Sequence, residues 1–242
     1  DSNTVTTTPA IARPDRLETY PAWSPDGKYL YFCSGPQLPI ERFSEVKYDL
    51  MRISHDPRSS QWGELEMVLT AQQIKGSVTH PKLSPDGRFL LFCVCDYGNF
   101  SIYHPESDLF LMDLTSRRYE KLAINSDRSD SYHSWSANGR WIVFSSKRRD
   151  GLLTHPYIAY VDGDGRVHKP FILPQRDPAF YESCLKVFNV PELSNHPAPL
   201  SSQTFTKAMN DPSNLLAAKL DSQVKIRSTT APAHEGPWRS PQ

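Results

Sequence analysis

The chain of 242 residues carries 27 basic and 27 acidic side chains, so its formal charge is zero, which argues against a strong electrostatic pull toward nucleic acid or anionic lipid. It contains no apolar run of about 18 residues, so no membrane span is predicted. The 21 prolines and the 11% of aromatic residues favour short strands joined by turns. The four cysteines, Cys33, Cys93, Cys95 and Cys184, follow no zinc or haem spacing and are compatible with two disulfides or none.

Three segments of the chain align with one another without gaps. They are YPAWSPDGKYLYFCS (20–34), HPKLSPDGRFLLFCV (80–94) and YHSWSANGRWIVFSS (132–146). Their starts lie 60 and 52 residues apart, slightly more than the ~40–50 residues of most β-propeller repeats. The repeat therefore predicts one propeller blade for each segment.

Each segment predicts a β-hairpin. An inner strand ends at Trp23, Leu83 or Trp135, and a turn of the Ser-Pro-Asp-Gly type follows. In this turn, proline presets φ, Asp or Asn tolerates the left-handed region, and glycine supplies positive φ. The second strand is almost continuously apolar, which suits a strand buried on both faces because blades stack on each other.

A third and a fourth strand are predicted after each hairpin. The third strands are expected at 48–53, 108–114 and 157–162, and the weaker fourth strands at 64–69, 119–124 and 167–173. Residues 17–175 thus predict three blades of four antiparallel strands, an all-β fold of the β-propeller type. Three unrelated hairpins in a β-sandwich are the alternative.

The repeat also resembles a known family. The units WSPDGKYLYF and LSPDGRFLLF resemble the repeat of TolB-like propellers, a WD-repeat-like class common in bacterial cell envelopes. The third unit departs from the pattern at Ala137-Asn138 but keeps Trp135, Ser136 and Gly139. The resemblance implies a periplasmic or cell-envelope location and a place in the C-terminal part of a larger protein. It implies no particular activity, because propellers host many functions.

Three blades are fewer than the about 4–8 that close a propeller ring. We therefore expect an incomplete ring, or one completed by a partner, with residues 1–16 adding an outer strand to a further blade. Residues 176–194 predict a short amphipathic helix that caps the propeller edge, with partner docking as the alternative. Residues 195–242 are rich in proline and serine and predict a partly disordered tail. A short helix is expected at 204–220, interrupted by Pro212.

The functional surface is predicted on the face opposite the tight turns. Long loops between second and third strands, and between blades, gather there, and loops on a rigid scaffold commonly carry function. Tyr20, His80 and His133 are expected on this face at the start of the inner strands. The full set of predicted partner- or ligand-binding residues is Tyr20, His80, Asp96, Tyr97, His104, Asp127, Arg128, Asp130, His133, Arg148 and Arg149.

Two roles compete for the charges in this set. Arg128, flanked by Asp127 and Asp130, could bind a carboxylate of a partner, or it could brace neighbouring blades through ion pairs, which is the favoured role. The histidines raise a metal hypothesis, but they lack close ligand spacing, so a structural role is favoured and no metal or cofactor is predicted. The basic run at 147–149 predicts a solvated loop rather than a nucleic-acid site.

The function favoured by these patterns is a non-enzymatic interaction scaffold that binds a protein or peptide through its long-loop face. No G-x-S-x-G nucleophile motif is present. Self-association through an open blade edge is a further expectation. The alternative is a propeller enzyme, or a small-ligand- or glycan-binding protein, with a polar central channel. Strongly shifted pKa values in a deep channel would favour that alternative, whereas a wide face with exposed aromatic side chains would favour the scaffold.

Overall fold

A computed structural model describes residues 3–197 and 201–222. The strands are β1 (Thr4–Val5), β2 (Arg16–Trp23), β3 (Tyr29–Pro36), β4 (Asp49–Asp56), β5 (Gln61–Leu69), β6 (Ser77–Leu83), β7 (Phe89–Cys95), β8 (Asp108–Asp113), β9 (Tyr119–Lys121), β10 (Asp130–Trp135), β11 (Trp141–Ser146), β12 (His155–Tyr160), β13 (Phe171–Ile172) and β14 (Lys219–Leu220). The α-helices are α1 (Ala71–Ile74), α2 (Phe180–Ser183) and α3 (Ser202–Asn210), and short 3-10 helices lie at Ile40–Glu45, Ser101–Tyr103 and Pro212–Asn214.

Twelve of these strands form three sheets of four consecutive strands each. Blade 1 contains β2–β5, blade 2 contains β6–β9 and blade 3 contains β10–β13. All neighbouring strands within a blade are antiparallel. The predicted all-β fold of four-stranded propeller blades is therefore confirmed, and the three blades form an incomplete ring.

The Ser-Pro-Asp-Gly turns are held by the same hydrogen bonds in every blade. In blade 1, the Ser24 hydroxyl donates to Asp26 Oδ1 at 2.6 Å and accepts from the Tyr29 amide at 2.9 Å. In blade 3, Ser136 makes the same contacts with Asn138 (2.7 Å) and Trp141 (2.9 Å). An amide oxygen thus replaces the carboxylate oxygen, which explains why the third unit tolerates its departure from the repeat. In these turns the glycine alone takes positive φ, so the role predicted for Asp and Asn in the left-handed region was wrong.

The fourth strands are the least regular part of each blade. The strand predicted at 119–124 ends at Lys121, because the Asn125 side-chain amide takes over pairing with the backbone of Leu109, at 2.8 Å and 2.9 Å. The strand predicted at 167–173 is reduced to β13, and Pro170 just before it has no N–H to donate. The outer edges of blades 2 and 3 are consequently shorter than that of blade 1.

Alternate side chains of the central strands form the contacts between blades. We call the face of a blade toward the preceding blade its leading face and the other its trailing face. The trailing face of blade 1 packs on the leading face of blade 2. Their shared core includes Tyr31, Cys33 and Leu50 of blade 1 and Leu90, Phe92 and Met112 of blade 2. Between blades 2 and 3, the corresponding core includes Leu91, Leu109, Leu111, Ile142, Phe144 and Ala159. This alternation explains the continuous apolar runs, because both faces of each central strand are covered.

Residues 1–16 were predicted to add an outer strand to a further blade. Within the described residues 3–16, β1 instead pairs in parallel with β14. Ala10 and Ile11 pack on the leading face of blade 1, against its buried side chains Phe32, Met51 and Ile53. Apolar burial on a face that has no neighbouring blade accounts for this placement.

Residues 176–194 pack on the trailing face of blade 3, but mostly as irregular backbone. The predicted amphipathic helix is reduced to α2, a single turn, and Leu185 beyond its end is 85% exposed. The Phe188 amide donates to the Thr154 carbonyl at 3.2 Å. Hydroxyl groups of blade 3 donate to two further carbonyls of the segment, Ser145 to Asn189 at 2.6 Å and Ser134 to Pro191 at 2.7 Å. These hydrogen bonds and the buried Tyr181 ring, whose centroid lies 5.2 Å from that of His155, therefore hold the segment.

The described part of the predicted tail contains one α-helix, α3. α3 begins after Ser201, whose hydroxyl accepts from the Thr204 amide, and ends before Asp211-Pro212, since the residue before proline disfavours helical backbone. Residues 223–242, where much of the disorder was predicted, lie outside the described residues.

Candidate functional site

Each inner strand contains one bulky residue with left-handed backbone. Tyr20, His80 and Tyr132 have φ of 53°, 51° and 48°, and the strand pairing shifts register at each of them. Such backbone costs about 1–2 kcal/mol per residue and commonly marks functional positions. Tyr20 and His80 were predicted at the start of the inner strands, but they lie within these strands, at the bulge.

The three rings form a row that crosses the blades. The rings of Tyr20 and His80 have centroids 4.2 Å apart, and those of His80 and Tyr132 lie 5.0 Å apart. The Tyr20 hydroxyl donates to the Gly98 carbonyl at 3.2 Å, and burial raises the pKa of this phenol above its usual range. Burial lowers the pKa of His80 to about 4, so the row is uncharged at neutral pH.

Two histidines predicted on this face lie inside the protein. His133 is 1% exposed, and its Nε2 lies 3.1 Å from the Leu91 carbonyl. Burial lowers the pKa of His133 to about 3, which makes this side chain a neutral core residue. His104 is 6% exposed, with ring nitrogens 2.9 Å from Glu106 Oε1 and 2.9 Å from the Asn99 carbonyl. Both histidines therefore brace the fold rather than reach a partner.

Asp130 and Arg148, also predicted to bind a partner, bind each other. Arg148 donates to Asp130 Oδ1 at 2.8 Å and to the Ile124 carbonyl at 3.0 Å. The other carboxylate oxygen of Asp130 accepts from the amide and the hydroxyl of Ser126. The guanidinium also lies over the Tyr157 ring, 4.6 Å from its centroid. Arg128 was predicted to brace neighbouring blades through ion pairs; Arg148 instead forms an ion pair within blade 3 and a hydrogen bond to the segment that precedes that blade.

The remaining charged residues of the predicted set are exposed. Asp127, Arg128, Asp96 and Arg149 lie at the surface, and the ion pairs found within the described ranges involve none of them. These four side chains remain free to meet a charged partner.

The long loops of neighbouring blades contact each other and form one surface. The Gly98 amide donates to the Val46 carbonyl at 2.8 Å, and Gly98 lies so close to the Tyr48 ring that a side chain there would collide with it. Tyr97 packs between Phe43 and His104, with ring centroids 5.7 Å and 4.1 Å away. This surface, which we call the long-loop face, comprises residues 37–48, 96–107 and 147–154.

Large apolar side chains project from the long-loop face, and the sequence interpretation missed them. All three long loops contribute to this set, which comprises Ile40 (79% exposed), Phe43 (46%), Phe100 (68%), Tyr103 (72%) and Leu152 (76%). Lys147 Nζ lies 4.9 Å from the Tyr103 ring centroid, which joins the loops of blades 2 and 3. The sequence contained a signal for these side chains, because aromatic residues occur in loops that are otherwise polar.

Two cavities formed by described residues differ greatly in size and place. The cavity between Ile102, Tyr103, Arg128 and Lys147 holds about 50 Å³. A much larger one, about 870 Å³, lies at the outer edge between blades 2 and 3, lined by residues that include Phe89, Leu111, Arg118, Arg166 and Val167. Beside the exposed Tyr103 ring, the long-loop face therefore has a small cavity, whereas the large cavity lies away from this face.

Neither a metal-binding cluster nor a membrane-spanning helix is found among the described residues. Within residues 3–197 and 201–222, no three His, Cys, Asp or Glu side chains are grouped as a metal site would require. No helix in these ranges combines the length and the apolar character of a membrane span.

The four cysteines are free thiols, and burial raises the pKa of Cys93 to about 11.

The fold defines the chain as a set of β-propeller blades. No protein-family model and no curated protein sequence matches it. It is similar to the β-propeller domain of the trilobed protease from Pyrococcus furiosus, with 13% identity, TM-score 0.40 and coverage of 66% of this chain and 44% of that one. It is also similar to TolB from Acinetobacter baumannii, with 21% identity, TM-score 0.38 and coverage of 63% of this chain and 32% of that one. A third similar structure is an oligogalacturonate lyase in complex with manganese, with 14% identity, TM-score 0.44 and coverage of 70% of this chain and 44% of that one. The matches span less than half of each of these proteins.

Proposed function

We propose that the chain is a non-enzymatic interaction scaffold that binds a protein or peptide partner through its long-loop face. One observation carries the proposal: three loops from three different blades expose large apolar side chains on the same face. Contact of such side chains with water is unfavourable, and aromatic residues are enriched at the core of protein interfaces. Exposed charges around them, including Arg128 and Arg149, supply the polar rim that sets partner choice.

The shape of this face fits a macromolecular partner. Small-molecule sites commonly occupy about 300–1,000 Å³, whereas the cavity beside Tyr103 holds about 50 Å³. A shallow surface with separate apolar projections suits an extended peptide or the surface of a folded protein. His133 and His155, whose pKa values are lowered by burial, are enclosed by the fold, which supports a role without catalysis.

Two further parts of the proposal rest on the sequence. The resemblance of the Ser-Pro-Asp-Gly units to TolB-like propellers supports a location in the periplasm or the cell envelope. The incomplete ring supports self-association through an open blade.

The scaffold role is tested with a displayed library of random peptides selected on the chain. A variant with Phe43→Ser, Phe100→Ser and Tyr103→Ser should bind the selected peptides at least about tenfold more weakly, because the interface core is lost. A matched control, Met67→Ser with Tyr119→Ser, removes exposed apolar side chains of two outer strands (47% and 37% exposed). Equal losses in both variants, or none in the first, would contradict binding through the long-loop face.

A second candidate function, binding of a small ligand with an anionic group, is favoured by the 870 Å³ cavity. Its lining combines apolar side chains with three arginines and three acidic residues, namely Asp113, Arg117, Arg118, Glu120, Asp164 and Arg166. Arg118 and Arg166 form no ion pair among residues 3–197 and 201–222, so their guanidinium groups are available to such a ligand. The aromatic sulfonate 8-anilinonaphthalene-1-sulfonate is a suitable probe. Its fluorescence on the chain should fall in Arg118→Ala with Arg166→Ala, but not in the triple variant of the long-loop face.

A further inference from the structure

Two blade faces lack a neighbouring blade within the described chain. They are the leading face of blade 1 and the trailing face of blade 3. The remaining faces of the three blades pack against a neighbouring blade. These contacts within the chain therefore indicate which kind of side chains would pack on the two unpaired faces.

One aromatic position recurs at the blade interfaces. Trp135, at the end of the inner strand of blade 3, belongs to the same core as Phe89 of blade 2, and its indole Nε1 donates to the Lys82 carbonyl at 3.1 Å. Leu83 and Tyr29 occupy the matching positions between blades 2 and 1. In blades 2 and 3, the end of the inner strand thus shares a core with the start of the second strand of the preceding blade.

The same inner-strand position in blade 1 has no blade to pack on. Trp23 aligns with Leu83 and Trp135 in the repeat, but it is 48% exposed. Its ring stacks on Trp62, with centroids 5.7 Å apart, and lies 5.1 Å from His55. Ala10 and Ile11 cover the middle of this face and leave the Trp23 end open.

The matching patch on blade 3 is also aromatic and open. Trp141 aligns with Phe89, which is only 7% exposed because blade 3 covers it. Around Trp141 lie the rings of Tyr160 and Phe171, with centroids 5.3 Å and 6.4 Å away. Tyr160 and Phe171 are 37% and 45% exposed. The segment at 188–191 contacts blade 3 at other positions and does not replace a blade here.

We infer that the two open patches bind each other between two copies of this chain. In this dimer, Trp23 of one copy packs on Trp141, Tyr160 and Phe171 of the other, as Trp135 packs beside Phe89 within the chain. A two-fold axis forms the contact twice, so that no patch stays open. Two sets of three blades make six, within the about 4–8 that close a propeller ring. This inference rests on the self-association proposed above and makes no use of the long-loop face.

The test is the mass of the intact chain in solution, measured by light scattering over a range of concentrations. We expect a dimer, and we expect Trp23→Asp and Phe171→Asp each to weaken dimer formation about tenfold or more, since a charge would be buried against aromatic rings. Tyr119→Asp, which changes an exposed ring of the blade 2 outer strand, is the matched control and should remain dimeric.

Mixing the two variants separates this contact from others. Trp23→Asp keeps an intact blade 3 patch and Phe171→Asp keeps an intact blade 1 patch, so an equimolar mixture should regain dimers through one intact contact. A single-chain mass at all concentrations, growth beyond a dimer, or a mixture that stays monomeric would overturn the inference. Circular dichroism of each variant shows that the blades remain folded. The triple variant of the long-loop face should still dimerise, which distinguishes failure of this contact from failure of partner binding.

Discussion

The carboxylate of Asp130 lies 2.8 Å from the guanidinium of Arg148, and the Asp130 side chain is 0% exposed. Arg148→Ala should lower the free energy of unfolding by about 3–5 kcal/mol, because the carboxylate would remain buried without its counterion. Urea denaturation measures this loss.

The neighbouring arginine is the matched control for that variant. Arg128 is exposed, so Arg128→Ala should change the free energy of unfolding by less than about 0.5 kcal/mol while weakening binding of a partner at the long-loop face. Equal losses of stability in Arg148→Ala and Arg128→Ala would mean that the buried pair does not brace blade 3.

At the left-handed positions of the inner strands, glycine should be more stabilising than alanine, the reverse of the usual order in a strand. In a strand interior, glycine is commonly less favourable than alanine by about 0.5–1 kcal/mol. Tyr132 has φ of 48°, where a side chain costs about 1–2 kcal/mol. Tyr132→Gly should therefore be more stable than Tyr132→Ala by about 1 kcal/mol in urea denaturation. The same pair of substitutions at Val143, an ordinary position of β11, should give the opposite order.

Acid should destabilise the chain well before most carboxylates are protonated. Burial lowers the pKa of His133 to about 3 and that of His80 to about 4, whereas an unfolded histidine has a pKa of about 6.5. The unfolded state therefore binds more protons than the folded state between about pH 6.5 and the folded pKa values, and in this range stability falls with decreasing pH by up to about 1.4 kcal/mol per pH unit for each histidine.

Urea denaturation between pH 6.5 and 5 measures this slope. His133→Gln retains a donor toward the Leu91 carbonyl but does not titrate, so it should reduce the slope, with the remainder due to His80 and to His155, whose pKa is also lowered by burial. An unchanged slope in this variant would assign the pH dependence to other groups.

Two tryptophans at equivalent positions should differ in their effect on stability. Trp135→Ala leaves a void in the core between blades 2 and 3 and removes the donor to the Lys82 carbonyl, which should cost about 3 kcal/mol. Trp23→Ala removes a ring that is 48% exposed and should cost about 1 kcal/mol at concentrations where the chain is monomeric. A reversed order in thermal or urea unfolding would contradict the packing of the Trp135 ring between the blades.

The blades were predictable because their signals are local. The turn of Ser24 and Asp26 depends on side chains two residues apart, and the strand that follows repeats the same apolar pattern in each unit. Blade packing then requires only that both faces of that strand be apolar. The shortened fourth strand of blade 2 was not predictable, since it depends on the amide of Asn125 meeting a strand 16 residues away.

The site was predicted as a region but not as a set of contacts. Nothing local distinguishes Arg148, which is enclosed by the fold, from the exposed Arg149 beside it. The left-handed inner-strand positions were also hidden, because Tyr20 and His80 each precede a proline, a context that favours extended backbone. The tertiary bulge overrides this preference.

The pairing of β1 with β14 has a consequence for the order of folding. Within the blades, each strand pairs with its neighbour in sequence, so the loops that must close are short. The β1–β14 ladder holds two residue pairs, Thr4 with Lys219 and Val5 with Leu220, and closes a loop of roughly 215 residues, whose entropy cost grows with loop length. Folding should therefore begin with the hairpins of the blades and end with the pairing of β1 and β14. In the native protein, the amide of Lys219 should exchange with solvent deuterium long before those of the central strands.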